Sequence, residues 1–232
     1  MTAKSMVKAF ANELGARMPG STVSKLASLL NYLETGRWMK ERDFSPTIRV
    51  DNRIELIKRL AAPIAGQEVL YLEFGVWQGE MIRLWSQLLT NPASRLHGFD
   101  SFEGLPEAWD NRDANGRIIK GHFSTQGIVP DIPDSRARFF KGWFQDQLPH
   151  YQFVPSPVTV ISIDADLYSS AIYVLKTLLP HISVGTIIYF DEFWDPQHEQ
   201  RAFSEFLAES GMRFEAVIAD YGTKHVAFKR VA

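Results

Sequence analysis

The chain has no cysteine among its 232 residues. That excludes disulfides, thiolate metal sites and cysteine nucleophiles, and it fits a reducing compartment. Neither sign of charge dominates: Lys+Arg 25 against Asp+Glu 27 gives a net −2. Such a balance leaves no basic footprint for nucleic acid or for an anionic membrane. No stretch approaches the ~18 apolar residues that a membrane-spanning helix needs. Lys8, Asn12 and Glu13 interrupt the N-terminus where a secretory signal requires an apolar core. Internal repeats and low-complexity tracts are missing too. These absences predict a cytoplasmic protein with neither nucleic acid nor membrane as partner.

What is present is an ordinary globular composition, 45% hydrophobic and 22% charged. The length predicts one domain, with room for a small appendage and a core that needs no staple. Apolar residues at Val23, Leu26, Ala27, Leu30 and Leu33 follow helical spacing after PGST, with Ser21 or Thr22 as the cap. A second helix reads from Asp51 through Ile54, Ile57, Leu60 and Ala61 to the breakers Pro63 and Gly66. The N-terminal helices also offer an interface for a homo-oligomer.

From residue 65 onward the pattern changes. Apolar runs at 68–75, 96–102, 137–144, 159–166 and 186–193 read as strands, and helical periodicity follows the first, fourth and fifth of them. Strands alternating with helices imply right-handed crossovers and a mostly parallel sheet covered on both faces. Two last runs, 214–222 and 225–231, lie too close together for a crossover and must form an antiparallel hairpin. The fold class is therefore α/β, a seven-stranded, mostly parallel, Rossmann-like sheet closed by a C-terminal hairpin. One crossover, 103–136, is long, rich in Gly, Pro and Asp, and poor in helical periodicity. A loop of that length is either a lid over a ligand or a plain surface excursion.

Ligands of parallel α/β sheets collect at the carboxyl ends of the strands. Here four strand ends carry acids: Glu73, Asp100, the pair Asp164 and Asp166, and the pair Asp191 and Glu192. A single acid at such a place is most simply a helix cap or turn residue; four along one rim are harder to account for that way. Gly75 and Gly79 follow the first strand as G-x-x-x-G, letting the backbone turn sharply and approach a ligand. This is not the G-x-G-x-x-G of a dinucleotide site, which counts against a nicotinamide dehydrogenase. A ligand with no phosphate there fits better, such as the amino-acid end of S-adenosylmethionine. Asp100 stands where an acid accepts hydrogen bonds from two ribose hydroxyls. Asp164 and Asp191 are 27 positions apart, one helix and one strand, which sets them on adjacent strands with Glu192 next along. Three clustered carboxylates without histidine or cysteine describe a site for Mg2+ or another hard divalent cation.

Taken together, LEFGVWQGE, GFDSFEGLPEAW, FFKGWFQDQLP and IDADLYSSAIYVLKTLLPHISVGTIIYFDEF resemble the macrocin O-methyltransferase family, the metal-dependent sugar methyltransferases of macrolide biosynthesis. The resemblance covers most of 68–193 and includes the 27-residue aspartate spacing; SPTIRVDNRIELIKRL is similar, more faintly, to the segment before the family's first strand. It implies a class I S-adenosylmethionine fold over 65–232, preceded by a helical segment, 1–64. It implies that Glu73, Gly75, Val76, Trp77 and Gly79 hold the methionine portion of the cofactor, that Thr47 touches the cofactor from the turn before the first strand, and that Asp100, Ser101 and Asp164 lie around the rest. Asp164, Asp191 and Glu192 would hold Mg2+. Two departures stand out: Glu192 replaces the family's second aspartate, and 103–136 lacks the family's helical crossover, so the acceptor pocket differs.

The reaction so implied moves a methyl group onto a hydroxyl of a small molecule, a sugar diol of a natural product or a catechol-like acceptor. Asp164 is the expected proton acceptor and His225, in the final hairpin turn, the reserve base. His97, His122, His150, His181 and His198 read as surface or structural residues. Trp77 and Trp109 are placed to line the cofactor or acceptor pocket. Two other readings stay open: a metal-independent small-molecule methyltransferase, and a non-catalytic module that binds S-adenosylmethionine.

Overall fold

The computed structural model describes residues 2–111 and 116–232. Ten strands run β1 (Ile48–Val50), β2 (Val69–Phe74), β3 (Arg95–Asp100), β4 (Trp109–Asn111), β5 (Gly116–Ile118), β6 (Ala137–Lys141), β7 (Val158–Ile163), β8 (Ile187–Phe190), β9 (Phe214–Asp220) and β10 (Val226–Arg230). Among the described residues seven α-helices accompany them: α1 (Ala3–Arg17), α2 (Gly20–Glu41), α3 (Arg53–Ala61), α4 (Glu80–Leu88), α5 (Phe144–Gln147), α6 (Tyr168–Leu178) and α7 (Glu199–Ser210).

Every residue of β2 is buried, because both faces of the sheet are covered. Val69 and Tyr71 point to the side packed by α3 and α4, while Leu70, Leu72 and Phe74 point to the side packed by α6 and α7. The second side is rich in aromatic rings, with Phe203 and Phe228 4.7 Å apart and Phe44 and Phe228 4.9 Å apart. Each such ring, fully buried, contributes roughly 2–3 kcal/mol.

The main sheet has the order β1-β9-β10-β8-β7-β2-β3-β6, with β10 alone antiparallel to its neighbours. All seven expected strands are there and the terminal hairpin closes as its short turn requires. The eighth, β1, extends the sheet by pairing parallel to β9. It is only three residues long, too short for an alternation to register in the sequence. Two features place the site. β2, β3, β7 and β8 are parallel, so their acids emerge along one rim. β10 runs the other way, so the turn before it returns His225 to that same rim.

The helix expected after PGST is present as α2, but turned over. It presents Ser28, Asn31, Thr35 and Met39 to the rest of the fold, while Val23, Leu26, Leu30 and Leu33 face outward. α3 starts as its sequence dictates: Asn52 caps it by accepting from the Glu55 amide at 2.9 Å. α1 had no counterpart among the expected elements. Within 103–136 the described residues hold one small hairpin, β4 paired with β5, and no helix.

Candidate active site

The loop after β2 is shaped by close backbone contact. Gly75 has φ +94°, and a Cβ there would lie 1.8 Å from the Asp164 carbonyl oxygen. Only glycine lets the β2 and β7 loops meet. Asp100, ending β3, braces the same loop: one oxygen accepts from the Val76 and Trp77 amides at 2.7 and 2.8 Å, the other from the Phe102 amide at 2.7 Å. Glu73 is fully buried and accepts from the Tyr71 hydroxyl at 2.5 Å. Burial pushes its carboxyl up to about 8 despite that hydrogen bond, so it is protonated at neutral pH.

On the other half of the rim the acids face charges. Arg53, from α3, sets its guanidinium 3.2 Å from Asp191, 3.9 Å from Asp164 and 2.8 Å from Glu80. Asp191 also accepts from the Tyr189 hydroxyl at 2.5 Å and lies 3.3 Å from His225 Nδ1. Burial works against its charge, but His225, Arg53 and Tyr189 outweigh that and hold it at about 2. Asp164 goes the other way: burial, then the charges of Asp191, Asp166 and Glu199, push it well above the carboxylate range. Glu192 accepts from Trp194 Nε1 at 2.6 Å and pairs with Lys224 at 2.9 Å. Trp194 is fixed from behind by stacking on Tyr32 and by a bond from Thr35 to its carbonyl.

Two cavities adjoin along this rim. One is lined by Gly75, Asp100, Ser101, Trp143 and Phe144; the other by Arg53, Trp109, His122, Asp191 and Glu192. Phe123, Asp164 and Asp166 belong to both and form their common wall. A donor in one and an acceptor in the other would meet at Asp164.

The structure thus brings together Glu73, Gly75, Val76, Trp77, Gly79, Asp100, Ser101, Asp164, Asp191, Glu192 and His225 along one edge of the sheet. Thr47 is not among them. It lies just before β1, at the far edge of the sheet, and donates to the Val217 carbonyl at 2.9 Å. The same segment instead delivers Arg53, which the sequence reading passed over. Glu199 was also missed. Fully buried at the start of α7, it accepts from the Ala165 and Glu192 amides at 3.3 and 3.0 Å and so ties the two acidic loops together. An acid in the first turn of a helix is the one signal that could have found it.

The acids are oxygen donors of the type hard cations take. Asp166, with φ +58°, projects from the loop after β7 into the wall that the two cavities share. Yet among the described residues no three such groups gather closely enough to hold a metal ion, and Arg53 lies between Asp164 and Asp191. Oxygen donors of a kind Mg2+ takes are present, but as arranged it is Arg53 that neutralises Asp164 and Asp191.

Comparison with known proteins decides the class. The macrocin-O-methyltransferase (TylF) family matches residues 43–229. The chain belongs to this family. As a macrocin O-methyltransferase family member it is an O-methyltransferase with the class I fold that uses S-adenosylmethionine. It is 26% identical over 185 residues to the demethyldecarbamoylnovobiocin O-methyltransferase of Streptomyces niveus, covering 72% of this chain and 70% of that one. It is 30% identical over 146 residues to the 8-demethyl-8-(2,3-dimethoxy-alpha-L-rhamnosyl)-tetracenomycin-C 4'-O-methyltransferase of Streptomyces olivaceus, covering 53% of this chain and 52% of that protein. In fold it is similar to the O-methyltransferase NovP, with a TM-score of 0.58 at 24% identity over 78% of this chain and 80% of the other. The calicheamicin methyltransferase CalS11 aligns with a TM-score of 0.55 at 23% identity over 76% of each. Among the described residues no helix is long and apolar enough to cross a membrane.

Proposed function

We propose that this family member methylates a hydroxyl of a diol-bearing small molecule, a natural-product sugar or a catechol-like ring, with Asp164 as the proton acceptor. The observation that carries the reading is the shared wall of the two cavities, where Asp164 faces both. The methyl carbon leaves the sulfonium sulfur and bonds to the hydroxyl oxygen, in line; the S–C electron pair stays on sulfur as S-adenosylhomocysteine, and the hydroxyl proton goes to an Asp164 oxygen. A carboxyl raised by burial and by neighbouring acids is a stronger base than an exposed aspartate. Arg53 and Tyr189 keep Asp191 charged beside it, and His225 positions Asp191. Trp109 and Phe123 supply apolar wall to an acceptor ring. Names of the relatives, which methylate antibiotics and a rhamnosyl sugar, support the acceptor class.

Mg2+ held by Asp164, Asp191 and Glu192 is part of the reading. When bound it would orient adjacent acceptor oxygens and lower the pKa of the one to be methylated. Arg53 between Asp164 and Asp191 favours a second reading, in which the guanidinium alone neutralises the acids and no metal is required. Calorimetry with S-adenosylhomocysteine, with and without Mg2+ and a sugar diol or catechol, tests the first reading. Turnover that survives EDTA selects the second. Asp164→Asn is expected to lower kcat by about 100-fold or more while S-adenosylhomocysteine affinity changes little; normal turnover refutes the role.

A further inference from the structure

We infer that the two N-terminal helices form a homodimer contact in which α1 of one copy lies antiparallel on α2 of the other. None of the residues of α1 is buried, and a 15-residue helix with no packed face is marginal in water. Its apolar residues Met6, Val7, Phe10 and Leu14 are all exposed, Phe10 by 68%. At about 100° per residue they form a single stripe. α2 carries a second stripe, Val23, Leu26, Leu29, Leu30 and Leu33, on the side opposite its polar inner face, with Leu33 62% exposed. A helix that packs Ser28, Asn31 and Thr35 inward and turns leucines outward is built to be covered from outside.

Three features single out a second copy as the cover. The first is area. Nine large side chains about half exposed offer on the order of 800 Å² per chain, the share one partner gives to a standard interface. The second is register. Running the stripes antiparallel sets Met6 opposite Leu33, Phe10 opposite Leu30 and Leu14 opposite Leu26. The third is charge. In that same register, Lys4 and Glu34 fall on one flank and Glu13 and Lys25 on the other, so both flanks pair opposite signs. The arrangement is self-complementary, since each copy gives one α1 and one α2, which is what a two-fold axis demands.

Mass measurement of the full chain across a concentration series tests this first: about twice 26.4 kDa is expected, and a monomer at ~100 μM overturns it. Phe10→Asp, which leaves the domain's own core untouched, is expected to give a monomer with unchanged S-adenosylhomocysteine affinity and a loss of helical circular dichroism no larger than the 15 residues of α1. A dimer that survives this substitution overturns the interface. Lys4→Glu is expected to weaken association at least several-fold, and Glu34→Lys in the same chain to restore it; no restoration overturns the register. Because the chain has no cysteine, crosslinking separates partner from self. Phe10→Cys mixed with Leu30→Cys should oxidise to a mixed disulfide dimer. If the two substitutions placed in one chain close only within that chain, α1 covers its own α2 and the proposal fails.

Discussion

The two halves of the acidic rim look alike in sequence and behave differently in the fold. At the ends of β2 and β3, Glu73 and Asp100 turn to uncharged partners: a tyrosine hydroxyl for the first, three backbone amides for the second. At the ends of β7 and β8, Asp164, Asp191 and Glu192 face Arg53, His225 and Lys224. The first pair shapes a loop; the second group concentrates charge beside a cavity. On this rim it is the carboxylates partnered by charged or titratable side chains, not those held by backbone amides, that mark the candidate site.

The largest test of the loop-shaping half is Gly75→Ala. A methyl group meeting the Asp164 carbonyl at 1.8 Å, on a backbone that disfavours any side chain, should cost more than about 3 kcal/mol. We expect a marked loss of melting temperature and of S-adenosylhomocysteine binding. Gly36→Ala, inside α2 and with nothing within 4 Å of the added carbon, is the control: it should leave S-adenosylhomocysteine binding unchanged and, if anything, raise stability by up to about 1 kcal/mol. Equal effects from the two would mean that the close approach of the loops is unimportant.

Next in size is the charged half. Arg53→Met leaves Asp164 and Asp191 facing one another without their cation. Since Arg53 is partly exposed, the expected loss is about 2 kcal/mol, below that of a fully buried pair, or about 4–8 °C in Tm. If Asp164, Asp191 and Glu192 can take Mg2+, millimolar Mg2+ should return part of that loss in the variant and do little for the unaltered protein. Differential scanning calorimetry with EDTA and with Mg2+ reads both. Asp100→Asn should do less: an amide oxygen keeps two of the three backbone contacts, so we expect roughly tenfold weaker S-adenosylhomocysteine binding, about 1.4 kcal/mol, with kcat nearly unchanged. A pure kcat effect would move Asp100 into the charged group.

The comparison also explains what could be read from the sequence. The apolar runs of β2, β7 and β8 are continuous because both sheet faces are buried, so they were legible, and with them the rim and the spacing of Asp164 and Asp191. Arg53 was not, because its partner Asp191 is 138 positions away and nothing local marks an arginine on a helix as turned inward. Glu199 was hidden for the same reason. α2 shows a different limit. Periodicity located the stripe through Leu26, Leu30 and Leu33, but it cannot say whether the chain itself or another molecule covers it. α1 carries such a stripe without any covering at all. In 103–136 the hairpin of β4 and β5 is too short and too polar to stand out from its loop.

The sharpest test of the contrast, and one read from pH rather than from a lost contact, belongs to Glu73→Gln. Glu73 is pushed up to about 8 by burial, whereas Asp191, equally enclosed, is held at about 2 by its cationic neighbours. In the unfolded chain Glu73 ionises near its ordinary value of 4.5; in the folded chain it keeps its proton up to about 8. Its contribution to stability is thus complete below the unfolded value and is lost progressively as pH rises through the folded one. Glutamine cannot ionise, so the variant should match the unaltered protein near pH 4.5 and gain on it steadily up to pH 8, beyond which the difference should level off. Urea denaturation at pH 5, 7 and 9 measures this. Parallel stability curves would show that Glu73 is already ionised in the fold, and that the β2 end carries charge just as the β8 end does.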